Sequence, residues 1–407
     1  MTKTYTTKPN IIVSMLRELS TRSMSLSELL EVMDASFPTT RRALRELERK
    51  GFVHIIGTRE STGGRPANIY GINGDGGYAI GVHLELPQIH FVTINLVGEI
   101  IEHHQISRDY NLNSNQAIQE IIRYVGHIRQ VLDDEKVVGL GIAAPGYLDE
   151  LGTVLTIGRD PAWHNVPLAT RLHQETNVPV LITNDVDCMA LAELEFNKFS
   201  IPENFLYLGF TEGVKASLIL NGDFYAGPYG NAGSIGHTTV VPEGLICSCG
   251  NQGCLETVAS LRAAHHAFDQ KYATVAHVGL LADISNIENR IERFYAICDA
   301  AASGESVCNE VVSNMLSYLS IAIANLVNIF QVRLIVIGGL LSQLPVPLQI
   351  ELDNLIRNRL INLLRDNLTI RFARDDRVYN AAIGAAQHTV GEYLSAFVIR
   401  KQGSTRS

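Results

Sequence analysis

Positive charge is the scarce commodity in this chain: 33 Lys and Arg stand against 42 Asp and Glu, a net −9 over 407 residues. A protein that coats nucleic acid with its whole surface is thereby excluded. No uninterrupted apolar run reaches the roughly 20 residues that a membrane span requires, so no membrane partner is expected. The opening MTKTYTTKPN passes straight into an amphipathic pattern without the apolar core of a signal peptide. A cytoplasmic location is the expectation. In that compartment the six cysteines argue against a disulfide framework, and clustered thiols point instead to metal. Low-complexity tracts and simple tandem repeats are also missing. The length exceeds what one ordinary core serves, so two or three domains are expected.

The scarce positive charge is unevenly placed. Residues 1–72 hold 11 Lys and Arg against 7 Asp and Glu, a balance of +4, which leaves 22 against 35, or −13, for the rest. A small basic head on a large acidic body suggests one local nucleic-acid contact. Within the head a first helix is predicted over about Asn10 to Leu19, with Ile11, Ile12, Met15 and Leu19 on one face. A second starts near Ser25, where Ser25 and Glu28 have the spacing of a capping box. A third starts around Pro38 and buries Ala43, Leu44 and Leu47, while Arg41, Arg42, Arg45, Arg49 and Lys50 keep another face positive. Phe52 to Ile56 then reads as a strand, and Glu60 to Ala67 as a hairpin turn carrying Arg65.

Three short helices and a hairpin form the pattern of a winged helix-turn-helix. Thr39, Thr40, Arg41 and Arg42 would open the recognition helix, with Arg45 one turn on and Arg65 at the wing tip. Guanidinium groups read guanine bidentately and clamp phosphate, so these residue types suit operator DNA. The plainer alternative is a solvated basic helix on a small accessory domain.

The body alternates strands and helices, which indicates an α/β fold. Two adjacent strands fit Tyr78 to Leu96 with a break at Pro87, a helix follows over 115–133, and a buried-type strand runs from Val137 into Ala144-Pro-Gly146. A strand over Val178–Thr183 leads into Asn184-Asp185 and a helix, and Leu334–Ile337 ends in Gly338-Gly339.

The sharpest chemical signal is His237 followed by Cys247, Cys249 and Cys254 in Cys-Ser-Cys-Gly-Asn-Gln-Gly-Cys-Leu-Glu. Three thiolates and an imidazole, with glycines permitting tight turns, match a closed Cys₃His zinc site. Four protein ligands leave no open position, so the zinc is expected to be structural. The alternative is a chance grouping of reduced cysteines.

These residues resemble the ROK family of repressors, open reading frames and sugar kinases. The likeness spans about residues 76–391 and rests on Gly141-Ile-Ala-Ala-Pro-Gly146, Pro161-Ala-Trp163, Asn184-Asp185, Gly236-His237, the cysteine run, Gly338-Gly339 and Ala382-Ile-Gly384. The basic head with Gly64-Arg-Pro-Ala67 resembles the repressor branch. The resemblance implies a two-lobed actin-like fold of the sugar-kinase type behind the head. It divides the chain into a DNA-binding domain over 1–72, one lobe over 76–195 plus 380–400, and a zinc-bearing lobe over 196–379. It also implies a sugar in the cleft and a homodimer or homotetramer.

Departures from the kinase pattern carry the functional reading. The first phosphate loop, glycine-rich in kinases, is His83-Leu-Glu85-Leu-Pro87 here, with no glycine to bring amides onto phosphate. The second is Gly209-Phe-Thr-Glu212-Gly213-Val-Lys215-Ala216, where Glu212 sets a like charge beside phosphate. No catalytic residue is therefore expected, although Asp185, the family's general base, is present and would serve to accept a sugar hydroxyl. Asn184, His237 and Glu256 match family sugar contacts.

Two positions depart further: Ser234 stands where the family has Glu, and Arg159 where it has Asn. Both changes shift the site toward positive, which suggests a sugar phosphate or sugar acid. Alternatively Arg159 pairs with Asp160 or Asp149, and the ligand is a neutral sugar. The expected protein is thus a sugar-responsive repressor whose ligand modulates operator affinity. An active sugar kinase and an interaction scaffold are the rival readings.

Overall fold

A computed structural model of the chain describes residues 11–59, 66–85, 88–107, 112–149, 151–157, 160–196, 201–275, 279–373 and 379–399. It comprises two compact units: one runs to Cys188 and resumes at Tyr379, and the other spans Met189–Val378.

The first unit begins with the head: α1 (Ile11–Thr21), β1 (Met24–Ser25), α2 (Leu26–Val32), α3 (Phe37–Arg49), β2 (Val53–Arg59) and β3 (Ala67–Ile72). Ser25 caps α2, its hydroxyl accepting from Glu28 N while the Glu28 carboxylate accepts from Ser25 N. Ser36 precedes α3 and Pro38 occupies its first turn, where a missing N–H breaks no helical bond. β2 and β3 form an antiparallel hairpin, and β1 pairs with the other edge of β3 to give the order β1-β3-β2.

There follow β4 (Tyr78–Glu85), β5 (Gln88–Asn95), β6 (Ile100–Ser107), α4 (Ser114–Val131), β7 (Val137–Ala144), β8 (Tyr147–Leu148), β9 (Val154–Thr156), α5 (Leu168–Thr176), β10 (Val180–Asn184) and α6 (Asp185–Phe196). Five strands make one sheet in the order β10-β7-β4-β5-β6, parallel across β10, β7 and β4 and antiparallel beyond. Residues facing α4, including Ile80, Val82, Phe91 and Ile142, form one core with Ile118, Ile121 and Trp163.

The opposite face carries α13 (Asn380–Ile399), which settles against the strands because glycines admit it. A Cβ at Gly81 would lie 1.9 Å from the Ala382 carbonyl, and one at Gly141 2.2 Å from that of Ala385. The head joins this side of the unit. Met15, Leu16, Leu29, Leu44, Leu47 and Phe52 share one buried cluster with Ala79, Val92, Ile94, Ala382, Ile383, Ala386 and Val390. Burial at about 25 cal/mol per Å² makes a continuous apolar core a firm joint, so the head is mounted on the sheet and α13 by packing as well as by its linker.

The second unit holds β11 (Phe205–Phe210), β12 (Val214–Leu220), β13 (Asp223–Phe224), α7 (Leu261–Tyr272), α8 (Leu280–Ser285), α9 (Arg290–Ala302), α10 (Ser306–Phe330), β14 (Leu334–Gly339), α11 (Val346–Arg357), α12 (Asn362–Arg365) and β15 (Thr369–Phe372). Its sheet runs β13-β12-β11-β14-β15, with β14 parallel to both β11 and β15. Its core gathers Leu206, Leu208, Phe294, Ile297, Leu316, Leu319 and Ile337. α10 alone among the described helices is long and apolar enough to cross a membrane by length and composition, and half of that stretch is buried in the protein.

Candidate functional site

The head presents its candidate interface on α3. Arg41, Arg42, Arg45 and Arg49 are exposed, while Ala43, Leu44 and Leu47 turn into the core. The three-to-four-residue repeat produces both faces at once. Thr39 is half-buried, its hydroxyl 2.9 Å from that of Ser36. Thr40 requires a correction. It is fully buried, because it falls on the core stripe one turn before Leu44 and Ala43, and it cannot reach a base edge. Arg65 lies outside the described residues. The wing strand is tied down by Arg59, whose Nη1 donates to Glu28 Oε1 at 2.8 Å. The Ser25 N–H and then the Arg59 guanidinium hold the Glu28 carboxyl down at about 2.

The carboxyl ends of β7 and β10 bring Gly146, Asn184 and Asp185 together. Asn184 Nδ2 donates to the Gly146 carbonyl at 3.3 Å, and Val186 N donates to Asn184 Oδ1 at 3.0 Å and to Asp185 Oδ1 at 2.9 Å. Asp185 opens α6, where the helix dipole favours a carboxylate. Both side chains are buried. In parallel sheets this edge is where ligands bind. Trp163 is fully buried in the core beneath α4, its Nε1 donating to the Leu112 carbonyl at 3.1 Å. Arg159 lies outside the described residues.

At the carboxyl end of β4 two buried histidines and a carboxylate come together. Strand register sets His83 opposite His90, and the two rings stack with centroids 5.9 Å apart. Glu85 Oε2 lies 3.1 Å from His90 Nε2 and 4.0 Å from His83 Nδ1. Burial pushes His83 below the usual histidine range, against the pull of Glu85 and Asp185. Sequence reading singled out 83–87 for its lack of glycine but missed His90, which only the hairpin register reveals. Leu86 and Pro87 lie outside the described residues.

In the second unit His237, Cys247, Cys249 and Cys254 converge, with one ligand atom from each lying within 4.8 Å of all the others. Cys247 Sγ is 3.6 Å from His237 Nδ1, and Cys249 Sγ is 3.7 Å from Cys254 Sγ. A tetrahedron with arms of about 2.3 Å has edges of about 3.7 Å, so the donor set fits zinc in kind and in spacing. The loop reaches this shape through Gly250 and Gly253, at φ +94° and +74°. A Cβ at Gly253 would meet the Val241 carbonyl at 1.7 Å. Burial first, then the neighbouring thiols, push Cys254 up to about 12, while the Asn251 backbone N–H pulls Cys249 down.

Glu256 connects this cluster to the β11–β12 turn. Its Oε1 accepts from Val214 N at 3.3 Å, and its Oε2 lies 3.9 Å from His237 Nε2. Ser234 is half-buried and donates to the Asn231 carbonyl at 2.9 Å. Within the turn Glu212 accepts from Arg290 Nη1 at 2.8 Å, a partner on α9 that sequence spacing could not identify. The turn is narrow, with Thr211 N donating to the Gly213 carbonyl at 3.0 Å.

Comparison with known proteins bears on the family and the fold. The ROK family matches residues 79–390. A xylose repressor of Caldicellulosiruptor bescii is 30% identical over 325 residues, covering 79% of this chain and 80% of its own. The crystal structure of a ROK family transcriptional regulator, a homologue of the E. coli MLC protein, superposes with a TM-score of 0.80 at 24% identity, over 96% of this chain and 98% of that one. A ROK family glucokinase from Streptomyces griseus, solved with glucose and AMPPNP, superposes with a TM-score of 0.64 at 25% identity, over 77% of this chain and 99% of that one.

Proposed function

The chain belongs to the ROK family, and we propose that it acts in the cytoplasm as a sugar-responsive transcriptional repressor. The carrying observation is the exposed arginine face of α3 on a winged head that shares its core with the sheet bearing Asn184 and Asp185. The similarity to a xylose repressor over 79% of the chain supports the same reading.

In this reading Thr39, Arg41, Arg42 and Arg45, with Arg65 from the wing, contact operator DNA. Asn184 and Asp185 accept and donate hydrogen bonds to sugar hydroxyls, and Ser234, His237, Glu256 and Arg159 contribute further ligand contacts. Zinc held by His237, Cys247, Cys249 and Cys254 organises its loop and supplies no reactive position, since all four places are taken by protein.

Kinase chemistry is absent in this reading. The reading draws support from the ring stack of His83 and His90 and from the Glu212–Arg290 pair, which flank the two turns that lack a kinase's glycine pattern. The rival, a hexose kinase, draws on the fold shared with the glucokinase and on the presence of Asp185. A coupled assay of ATP consumption across a hexose panel separates the two.

Ligand binding to the sensor shifts head geometry and so operator affinity. A coupling of ~1–3 kcal/mol gives a 5- to 150-fold change. Fluorescence anisotropy on DNA selected by the protein from random fragments, titrated with sugars, sugar phosphates and uronates, tests the proposal. An affinity indifferent to the whole panel contradicts the sensor half.

A further inference from the structure

The outer edge of the first sheet is β6, and no described strand pairs with its far side. The strand is eight residues long and largely exposed, with Ile100 and Ile101 exposed by 46% and 44%. A long edge of unpaired amides and carbonyls is a template for another strand, and proteins that keep such an edge single blunt it with Lys, Pro or a bulge. β6 has neither Lys nor Pro, and its one register irregularity lies at its start, opposite Ile94.

The sequence of the edge is complementary to itself. Antiparallel pairing about a two-fold axis keeps opposed side chains on one face, so a residue at the centre stands opposite its own copy. Centring on Glu102 sets carboxylate against carboxylate, and centring on His104 leaves Ile100 beyond the partner strand's end. Centring on His103 sets Ile100 against Ile106, Ile101 against Gln105 and Glu102 against His104, each twice. Cross-strand pairs of this kind, apolar on apolar and acid on imidazole, stabilise sheets.

We propose that β6 pairs antiparallel with β6 of a second copy of this chain, centred on His103, and joins the two five-stranded sheets into one. The inference rests on the strand alone and stands apart from the repressor reading.

Cysteine cross-linking on the zinc-loaded full chain tests it, with oxidised glutathione as oxidant and wild type as control. His103→Cys faces its own copy, so a covalent dimer is expected on a non-reducing gel. The His103 ring packs against Tyr379 at 4.8 Å, so the pair Ile101→Cys with Gln105→Cys, which bridges residue 101 to 105 of the copy, serves as an independent check. Gln105→Cys alone sits four residues from its copy along the strand, roughly 13 Å, beyond disulfide reach. It is expected to stay uncrosslinked. Failure of both positive variants to cross-link overturns the proposal. So does a dimer from Gln105→Cys alone, or sedimentation of the wild-type chain as a monomer at micromolar concentration. No DNA or sugar enters these readouts, so their outcome is independent of the regulatory function.

Discussion

Helix α3 and the loop from His237 to Cys254 hold their functional groups in opposite ways. α3 turns its arginines outward over Ala43, Leu44 and Leu47, so its shape depends on the core and its chemistry on the surface. The loop turns its groups toward one another, with Cys247 and Cys254 buried, Cys249 exposed and φ-positive glycines at its bends. Its shape and its chemistry are one thing. Charge on α3 should therefore be removable without cost to the fold, whereas a ligand of the loop should not.

The largest expected effect follows from the loop. Cys254→Ser leaves a buried polar group among unpaired thiols, and structural zinc sites contribute folding energy outright. The variant is expected to bind less zinc by elemental analysis and to unfold about 4 °C lower, roughly what ~3 kcal/mol costs a chain of about 400 residues. An unchanged midpoint would remove the contrast with α3.

On α3, Arg42→Ala and Arg45→Ala are each expected to weaken operator binding by about 1–3 kcal/mol or, for a phosphate contact, to flatten the salt dependence by about one ion. Their thermal midpoints should match wild type. Anisotropy titrations at several salt concentrations read both quantities. Thr40 sharpens the same comparison: Thr40→Val, apolar and nearly isosteric at a fully buried site, should leave operator affinity unchanged.

The β4–β5 and β11–β12 turns are also unlike each other, one flanked by buried imidazoles and the other carrying an exposed ion pair. Glu212→Gly releases Arg290 but leaves His83 and His90 in place. No ATP turnover is expected from this variant in the coupled assay, and measurable turnover would revive the kinase reading.

The smallest effect is a pH dependence at Glu28, whose carboxyl is lowered from its usual 4.5 to about 2. A depressed carboxylate contributes stability above its unfolded value and loses that contribution as pH falls through its folded one. The difference in unfolding midpoint between wild type and Glu28→Gln should therefore be full at pH 6 and shrink from about pH 4.5 toward 2.

Much of this was legible before the structure. Helical spacing placed α1 to α3, and the Ser25–Glu28 capping box formed as its spacing predicts, because both rest on local geometry. The cysteine spacing predicted a cluster that the fold assembles, since glycine-rich loops of that length have few ways to bring three thiols together. Thr40 misled because a polar residue at the start of a recognition helix reads as exposed, while the helical phase set by Leu44 and Leu47 buries it. His90 and Arg290 were invisible for another reason. Each reaches its partner through strand register or tertiary packing, across five residues in one case and 78 in the other, and no local pattern encodes such a pairing.

The central claim, that this chain is a sugar-gated DNA-binding protein, is tested most directly by one titration. The zinc-loaded protein on its selected operator is followed by anisotropy while each sugar, sugar phosphate and uronate is added. At least one ligand is predicted to change operator affinity 5-fold or more, within the range set by ~1–3 kcal/mol of coupling, and Asp185→Asn should abolish that response without altering affinity in the absence of ligand. Operator binding unmoved by every ligand, or a protein that selects no DNA at all, would contradict the account.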